Sequence, residues 1–149
     1  MLTRTAYAEC MIDRASYFAA KLAYETDPGD VYLAQRRGES PVIIDVRSSE
    51  AWAQGRVAGA IHMHYSEIPA RAPLEIPRDA EVVVYCWSPG CNAGAKGALA
   101  FSELGYSVRE MIGGYEYWVR EGYPVENIEG VFRFPVDPKT GVPRIRTHA

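Results

Sequence analysis

Hydrophobic residues recur at two different spacings along this chain, and the change of spacing predicts a mixed α/β fold. Four apolar residues near the N-terminus follow one another at helical spacing: Met11, Ala15, Phe18 and Leu22. They predict an amphipathic helix over residues 7–24. Further along, residues 42–44 and 82–85 are continuous apolar runs rich in β-branched side chains, which is typical of central strands covered on both faces.

Capping residues, prolines and glycines mark the other elements. Helices are predicted at residues 28–37, 49–54, 92–104 and 115–121. Residues 59–63 form a turn that enters a third strand, and residues 106–112 form a fourth. Because strands alternate with helices, the strands pair in parallel through crossover helices. The pattern therefore predicts an α/β fold in which helices cover both faces of a parallel β-sheet.

The order of these elements divides the chain into three parts. They are an N-terminal helical extension at residues 1–25, a single α/β domain at residues 26–125 and a C-terminal tail at residues 126–149. In the tail, the turn at residues 137–141 predicts a surface hairpin or a partner-binding segment. The apolar stripe of the N-terminal helix must pack on the domain or on a second copy of the chain, because an exposed stripe invites association. The second case would make the protein a homodimer.

Composition and charge argue against three classes of protein: nucleic-acid-binding proteins, membrane proteins and secreted disulfide-rich proteins. The chain has 149 residues, of which 48% are hydrophobic, and a net charge of -3, so it predicts a globular domain without a basic surface for nucleic acid. No segment approaches the run of about 20 apolar residues that a membrane helix needs, and residues 15–20 cannot serve as a signal-peptide core. Three cysteines are too few for a secreted disulfide framework. We expect a cytoplasmic protein with free thiols and neither nucleic acid nor membrane as a partner.

Cys86 is the candidate nucleophile, because it follows the central strand at residues 82–85 directly. Ligands of parallel sheets bind beyond the carboxyl ends of the strands, where the next helix presents free backbone N–H groups. Glycine and proline in the connection at residues 86–95 allow these amides to turn inward as an anion-binding nest. A thiol in such a site has a lowered pKa, and its thiolate is the nucleophile.

The role of Cys91, five residues further on, stays open. It is within reach of the same loop, so it could resolve a mixed disulfide or protect Cys86 in a reversible disulfide. A loop cysteine without a chemical role is an equal alternative. Cys10, on the predicted N-terminal helix, is assigned to packing.

Four segments in the same order resemble the rhodanese (sulfurtransferase) family. They are residues 44–47 (Ile-Asp-Val-Arg), residues 50–61 with Glu-Ala-Trp and Gly-Ala-Ile, residues 83–86 (Val-Val-Tyr-Cys), and residues 113–124 with Gly-Gly, Trp118 and Gly-Tyr-Pro. The resemblance extends over about residues 26–125. It implies a rhodanese-like α/β domain in which Cys86 takes a sulfane sulfur from a small anionic donor, holds it as a persulfide and passes it to a thiol acceptor. No metal or organic cofactor is implied.

The same resemblance assigns the other site residues. Asp45 and Arg47 belong to a matched segment and support the neighbouring loops. The substrate-binding residues that we assign, which together with Cys86 form the loop and its first helical turn, are Trp87, Ser88, Pro89, Gly90, Cys91, Asn92, Ala93 and Lys96. The amides of residues 87–93 are expected to form the anion cradle.

The loop also departs from the family pattern. Typical family loops place an arginine six residues along from the cysteine, whereas this loop is about two residues longer and has Ala93 at the corresponding position. The nearest cation in sequence is Lys96. In place of the missing arginine, Trp87 is expected to form one side of the pocket. A loop of the form Cys-Trp-x-Pro-Gly-Cys-Asn resembles that of a subgroup of single-domain rhodanese-like proteins with an N-terminal helical extension.

Four other functions are alternatives for a chain with this loop. A phosphatase of this fold needs a loop arginine to clamp the phosphoryl group, and residues 90–97 miss the spacing of a nucleotide-binding P-loop. A metal site of Cys86, Cys91, His62 and His64 has suitable residue types, yet nothing in the sequence fixes the histidines beside the loop. The strongest alternative is a rhodanese-like binding or redox-regulatory module without catalysis, which the missing arginine favours and the retained Cys86 opposes.

Overall fold

A computed structural model describes residues 12–141 and has two β-sheets with helices packed around the larger one. The helices are α1 (Arg14–Tyr24), α2 (Pro28–Arg36), α3 (Ser49–Gln54), α4 (Ile68–Glu75), α5 (Ala93–Glu103) and α6 (Gly114–Arg120). The strands are β1 (Glu25–Thr26), β2 (Val42–Asp45), β3 (Arg56–Val57), β4 (Ile61–His62), β5 (Glu81–Tyr85), β6 (Ser107–Met111), β7 (Val125–Asn127) and β8 (Gly130–Phe132). Short 3₁₀ turns occupy Tyr65–Glu67 and Pro138–Thr140.

The larger sheet has the strand order β1-β6-β5-β2-β4, and every pair in it is parallel. The apolar runs predicted to be central strands are β2 and β5, and β5 occupies the middle of the sheet. Val82, Val83 and Val84 of β5 are each at most 1% exposed, because helices cover both faces of the strand. The predicted α/β fold with a parallel sheet is therefore confirmed.

The core consists of one apolar cluster on each face of this sheet. On one face, Ile44 and Val84 pack with Phe101 of α5 and Ile68 of α4. On the other face, neighbouring strand residues pack with α2, α6 and β3, a cluster that comprises Val31, Ile43, Val57, Val83, Tyr85, Met111, Trp118 and Val125. Successive side chains of β2 and β5 point to opposite faces of the sheet, so the same two strands contribute to both clusters.

The smaller sheet is antiparallel and has the order β3-β7-β8. β7 and β8 form a hairpin. The sequence predicts a hairpin later in the chain, around the turn at residues 137–141. Within the described residues that turn is a 3₁₀ helix with Asp137 as its N-cap, and the second arm of the predicted hairpin lies outside the described residues.

The N-terminal helix, predicted over residues 7–24, covers only Arg14–Tyr24 among the described residues. It begins at Arg14 because the Asp13 side chain accepts a hydrogen bond from the Ser16 amide and caps the helix. Residues 7–11 lie outside the described residues. Over the described part of the helix, the apolar stripe is not packed on the domain, since Phe18 is 55% and Leu22 is 83% exposed. Packing against a second copy of the chain stays a prediction.

Candidate active site

Cys86 lies directly after β5 at the carboxyl edge of the parallel sheet, as predicted, and is only 6% exposed. Its sulfur is bonded to that of Cys91, and the two Cα atoms are 6.4 Å apart. The expectation of free thiols is therefore wrong for this pair. The loop turns back on itself through a hydrogen bond from the Cys91 amide to the Ser88 carbonyl oxygen, and this turn brings the second cysteine to the first.

The first two residues of the loop are anchored by the N-terminus of α6. The amides of Tyr115 and Glu116 donate to the carbonyl oxygens of Cys86 and Trp87, at 2.9 and 2.8 Å. Gly114 makes this approach possible, because a Cβ atom there would lie 2.5 Å from the Cys86 oxygen and its φ is +62°. The predicted glycine pair at residues 113–114 is thus the place where α6 contacts the backbone of Cys86.

The middle of the loop satisfies part of its own backbone. The Gly90 amide donates to Ser88 Oγ, and the Cys91 amide donates to the Ser88 carbonyl oxygen, at 3.2 and 3.1 Å. In this disulfide-bonded state these two amides do not point to a common anion, which corrects the predicted cradle at two of its residues. Pro89 and Asn92 are exposed, and Asn92 precedes the first residue of α5 without a side-chain capping bond.

A buried polar network lies behind the loop, at the ends of β2 and β5. Asp45 lies level with Tyr85 in the sheet, and its Oδ2 accepts hydrogen bonds from the Tyr85 hydroxyl and from Arg47 Nη2, both at 2.6 Å. The same guanidinium nitrogen also donates to the Gly55 carbonyl oxygen. Burial opposes the charged form of Arg47, but the hydrogen bond and charge of Asp45 outweigh it and raise its pKa. Burial and the nearby carboxylate raise the pKa of Tyr85 well above its ordinary value.

Arg47 connects this network to the loop. Its guanidinium carbon lies 4.4 Å from the centre of the Trp87 ring and 4.3 Å from that of Tyr115, so the cation lies close to both aromatic rings. The two rings meet edge to face at 5.8 Å. Arg47, held by Asp45, therefore packs against Trp87, the residue that follows Cys86.

A cavity of about 270 Å³ opens at the disulfide. Besides both cysteines, its charged lining residues are Lys21, Glu25 and Glu110. Glu25 and Glu110 are register partners on neighbouring strands, and Lys21 is paired with Glu25 at 2.8 Å. Burial of its side chain and the charge of Glu25 raise the pKa of Glu110, while Lys21 opposes that shift. The cavity thus has two carboxyl groups and a single ammonium group.

These three charged residues were missed by the sequence analysis. Glu110 comes from the predicted fourth strand, two residues before its predicted end. Because the carboxyl ends of parallel strands meet at one edge of the sheet, this position is the signal that could have identified it. Gly94 of α5 leaves room for the Glu110 side chain, since a Cβ atom there would be 3.3 Å from the carboxyl carbon. Lys21, expected on the exposed face of the N-terminal helix, and Glu25 could not be placed at the site, because β1, the strand that brings the end of α1 beside β6, is too short to be recognised.

Lys96 and the two histidines lie away from this cavity. The Lys96 ammonium is 5.2 Å from the centre of the Tyr65 ring, and Lys96 does not line the cavity. Ala93 begins α5. His62 stacks on Trp52, and His64 caps the 3₁₀ turn that follows. Among residues 12–141 no group of three or more His, Cys, Asp or Glu side chains is arranged to hold a metal ion.

A larger groove of about 1170 Å³ borders the disulfide cavity and shares Pro89, Ile112 and Gly113 with it. Its other lining residues come mainly from α2, α6 and the segment at residues 136–141. Tyr32, Tyr117 and Tyr123 give it an aromatic wall. The groove gives a bulkier molecule room next to the loop that contains the two cysteines.

Comparison with known proteins agrees with this architecture. The profile of the family described as "Rhodanese-like domain" matches residues 28–121. The chain belongs to this family. It is 35% identical over 104 residues to a protein named "Sulfurtransferase" from Allochromatium vinosum, an alignment that covers 66% of this chain and 92% of the relative. A "Thiosulfate sulfurtransferase GlpE" from Pseudomonas putida is 32% identical over 106 residues, which cover 69% of this chain and 91% of the relative.

A solved structure has the same fold. The crystal structure of the BH2092 protein from Bacillus halodurans superposes with a TM-score of 0.72 at 34% identity, and the match covers 78% of this chain and 85% of that one. The family resemblance that the sequence analysis stated is therefore confirmed. Within the described residues no helix is long and apolar enough to cross a membrane.

Proposed function

We propose that this rhodanese-like protein is a sulfurtransferase in which Cys86 carries sulfane sulfur as a persulfide. The Cys86 thiolate attacks the outer sulfur of a donor such as thiosulfate. The donor's S–S bond breaks, sulfite leaves with the electron pair, and a persulfide forms on Cys86. A thiol acceptor then takes the outer sulfur. A reducing thiol must first open the Cys86–Cys91 bond to release the nucleophile.

The placement of Cys86 is the observation that carries this proposal. The residue directly follows the middle strand of a parallel sheet, lines a cavity, and has its backbone fixed by α6. A sulfur at the carboxyl edge of such a sheet is positioned for ligands that bind there. Similarity to proteins named sulfurtransferase, at 32% and 35% identity, supports the same activity class.

The remaining site residues receive proposed roles from their contacts. Trp87, Ser88, Pro89, Gly90 and Asn92 shape the loop, which we assign to the subgroup with the Cys-Trp-x-Pro-Gly-Cys-Asn pattern. Asp45 and Arg47 position that loop through Trp87. We also propose a cytoplasmic location, where disulfides of this kind are usually transient and catalytic or redox-sensing.

Intact mass spectrometry of the reduced protein tests the proposal. After brief incubation with thiosulfate and removal of the donor, the Cys91→Ser variant is expected to gain the mass of one sulfur atom. Cys86→Ser is the matched control, because it also retains one loop thiol, and it is expected to gain nothing. If Cys86→Ser gained sulfur and Cys91→Ser did not, the roles of the two cysteines would be reversed.

A second candidate function is a redox-regulatory module without sulfur transfer. The disulfide and the absence of lysine or arginine at residues 86–95 favour it. The intact-mass experiment separates the two functions, because a redox-regulatory module is expected to gain no sulfur. The rate of alkylation of reduced Cys91→Ser by iodoacetamide tests the thiolate that sulfur transfer requires. A catalytic Cys86 is expected to react well below pH 8, whereas an ordinary thiol titrates near pH 8.5.

A further inference from the structure

The Cys86–Cys91 bond shows that the loop can bring a second sulfur onto the proposed persulfide carrier. The remaining cysteine of the chain, Cys10, lies outside the described residues. Cys91 is half-buried, whereas Cys86 is buried, and both line the same cavity. The two cysteines lie five residues apart in one loop, so the fold of this loop alone brings their sulfur atoms together.

We infer that Cys91 is a catalytic residue that resolves the Cys86 persulfide and releases its outer sulfur as sulfide. This inference rests on the proposed persulfide on Cys86. The Cys91 thiolate attacks Sγ of Cys86, a bond forms between the two cysteine sulfurs, and the bond from Cys86 Sγ to the outer sulfur breaks. The outer sulfur leaves with the electron pair as hydrosulfide. Two cysteine sulfurs are thereby oxidised by two electrons, and the sulfane sulfur is reduced by two.

The charges around the cavity favour this discharge over storage of the persulfide. A persulfide is anionic when it is deprotonated, and a stored anion needs a cation or converging N–H groups. The single cation that lines the cavity, Lys21, is already paired with Glu25, and Glu110 adds a second carboxyl group. The amides of Gly90 and Cys91 donate to Ser88. Among the described residues, those that line the cavity therefore offer the outer sulfur no unpaired cation, and two of the loop amides are already engaged.

The product of this step is the state that the structure shows. The disulfide-bonded loop is then the discharged enzyme, and an external dithiol or thiol must reduce it before the next turnover. The reaction that precedes each cycle must supply sulfane sulfur, and the reaction that follows must consume sulfide. The reductant reaches the bond most readily at Cys91, the more exposed of the two sulfur-bearing residues.

A single-turnover experiment tests the inference. Protein with the Cys10→Ser change is reduced, freed of reductant under anaerobic conditions and mixed with thiosulfate, and both released sulfide and intact mass are followed. With Cys86 and Cys91 present we expect about one sulfide per chain and a final mass two hydrogens below that of the reduced protein. The matched variant with Cys91→Ser is expected to keep the added sulfur and to release no sulfide.

The outcomes separate this inference from the function on which it rests. If both proteins keep the added sulfur and neither releases sulfide, Cys86 is a persulfide carrier and the role of Cys91 is refuted. Equal sulfide release from both proteins would also refute it, because no resolving thiol would then be needed. If the Cys91→Ser variant gains no sulfur at all, the proposed function itself fails, and the inference fails with it.

Discussion

At the residue scale, the charge balance of the disulfide cavity bears on which donors Cys86 accepts. The resemblance implies a small anionic donor, whereas the cavity has Glu110 beside Glu25 and a lysine that is already paired. Two like unit charges about 8 Å apart repel by about 1 kcal/mol in a partly hydrated site that is screened by salt. A doubly charged donor such as thiosulfate is therefore expected to bind weakly to this protein.

Neutralising the half-buried carboxylate should improve the use of that donor. We expect Glu110→Gln to raise kcat/KM for thiosulfate roughly five-fold, mainly through KM, because about 1 kcal/mol of repulsion is removed. Steady-state kinetics with thiosulfate and a thiol acceptor measure the change. Since the pKa of Glu110 is raised, its carboxyl group becomes neutral sooner as the pH falls, and the gain should shrink toward acidic pH.

Glu103→Gln is the control for net charge, because Glu103 is exposed at the end of α5 and does not line the cavity. It is expected to leave kcat/KM unchanged. An equal gain from both variants would mean that overall charge, and not the cavity, limits the reaction with thiosulfate.

At the element scale, the contact between α6 and the strand end determines where Cys86 lies. The helix begins at a glycine because its first turn abuts the backbone of Cys86 and Trp87. On the other side of the sheet, α5 makes a similar approach at Gly97, where a Cβ atom would lie 2.8 Å from a methyl group of Val46. Two glycines therefore set how closely the helices flanking the loop approach the sheet.

Adding one methyl group at the start of α6 should displace the loop. We expect Gly114→Ala to lower the free energy of unfolding by more than about 2 kcal/mol, because it combines a left-handed φ with a clash against the Cys86 carbonyl oxygen. Urea unfolding gives this value, and the same variant should transfer sulfur more slowly.

Gly38→Ala isolates the cost of the backbone angle. Its φ is +75°, and a Cβ atom there would have no neighbour within 4 Å. We expect it to lose only about 1 kcal/mol and to transfer sulfur at the normal rate. Equal losses from the two alanine variants would show that the contact between α6 and the loop contributes nothing.

At the scale of the whole molecule, the disulfide joins residues of one surface loop, while the core lies on the two faces of the sheet. Opening the bond should therefore change stability modestly and leave the fold intact. For a loop this short, the entropy of the unfolded chain predicts a loss of about 2 kcal/mol on reduction. Urea unfolding with and without a reducing thiol measures it, with retained far-ultraviolet circular dichroism as the check on the fold.

The double variant Cys86→Ser/Cys91→Ser is the control for this measurement. Its unfolding midpoint is expected to match that of the reduced protein and to be insensitive to the reductant. Loss of the fold on reduction would contradict the view that the two cores hold the domain together independently of the loop.

The sequence was sufficient for the elements whose signals are local. Continuous β-branched runs identified β2 and β5, and capping residues, prolines and glycines marked the helices around them. The position of Cys86 after a buried strand identified the candidate nucleophile, because the direction of a parallel strand fixes which of its ends faces the site. Short strands such as β1 and β3, and the helix α4, carried too weak a pattern to be recognised.

By itself, the sequence determined the α/β fold, the family resemblance and the candidate nucleophile, since each depends on residues close together in the chain. Only the tertiary structure decided that Cys91 bonds to Cys86 and that Glu110 and Lys21 lie beside them. The disulfide depends on how the loop folds back on itself, and the convergence of Glu110 and Lys21 depends on how separate segments meet in space. Local periodicity records neither. The same reason explains why the apolar stripe of α1 could be predicted but not its exposure on the domain.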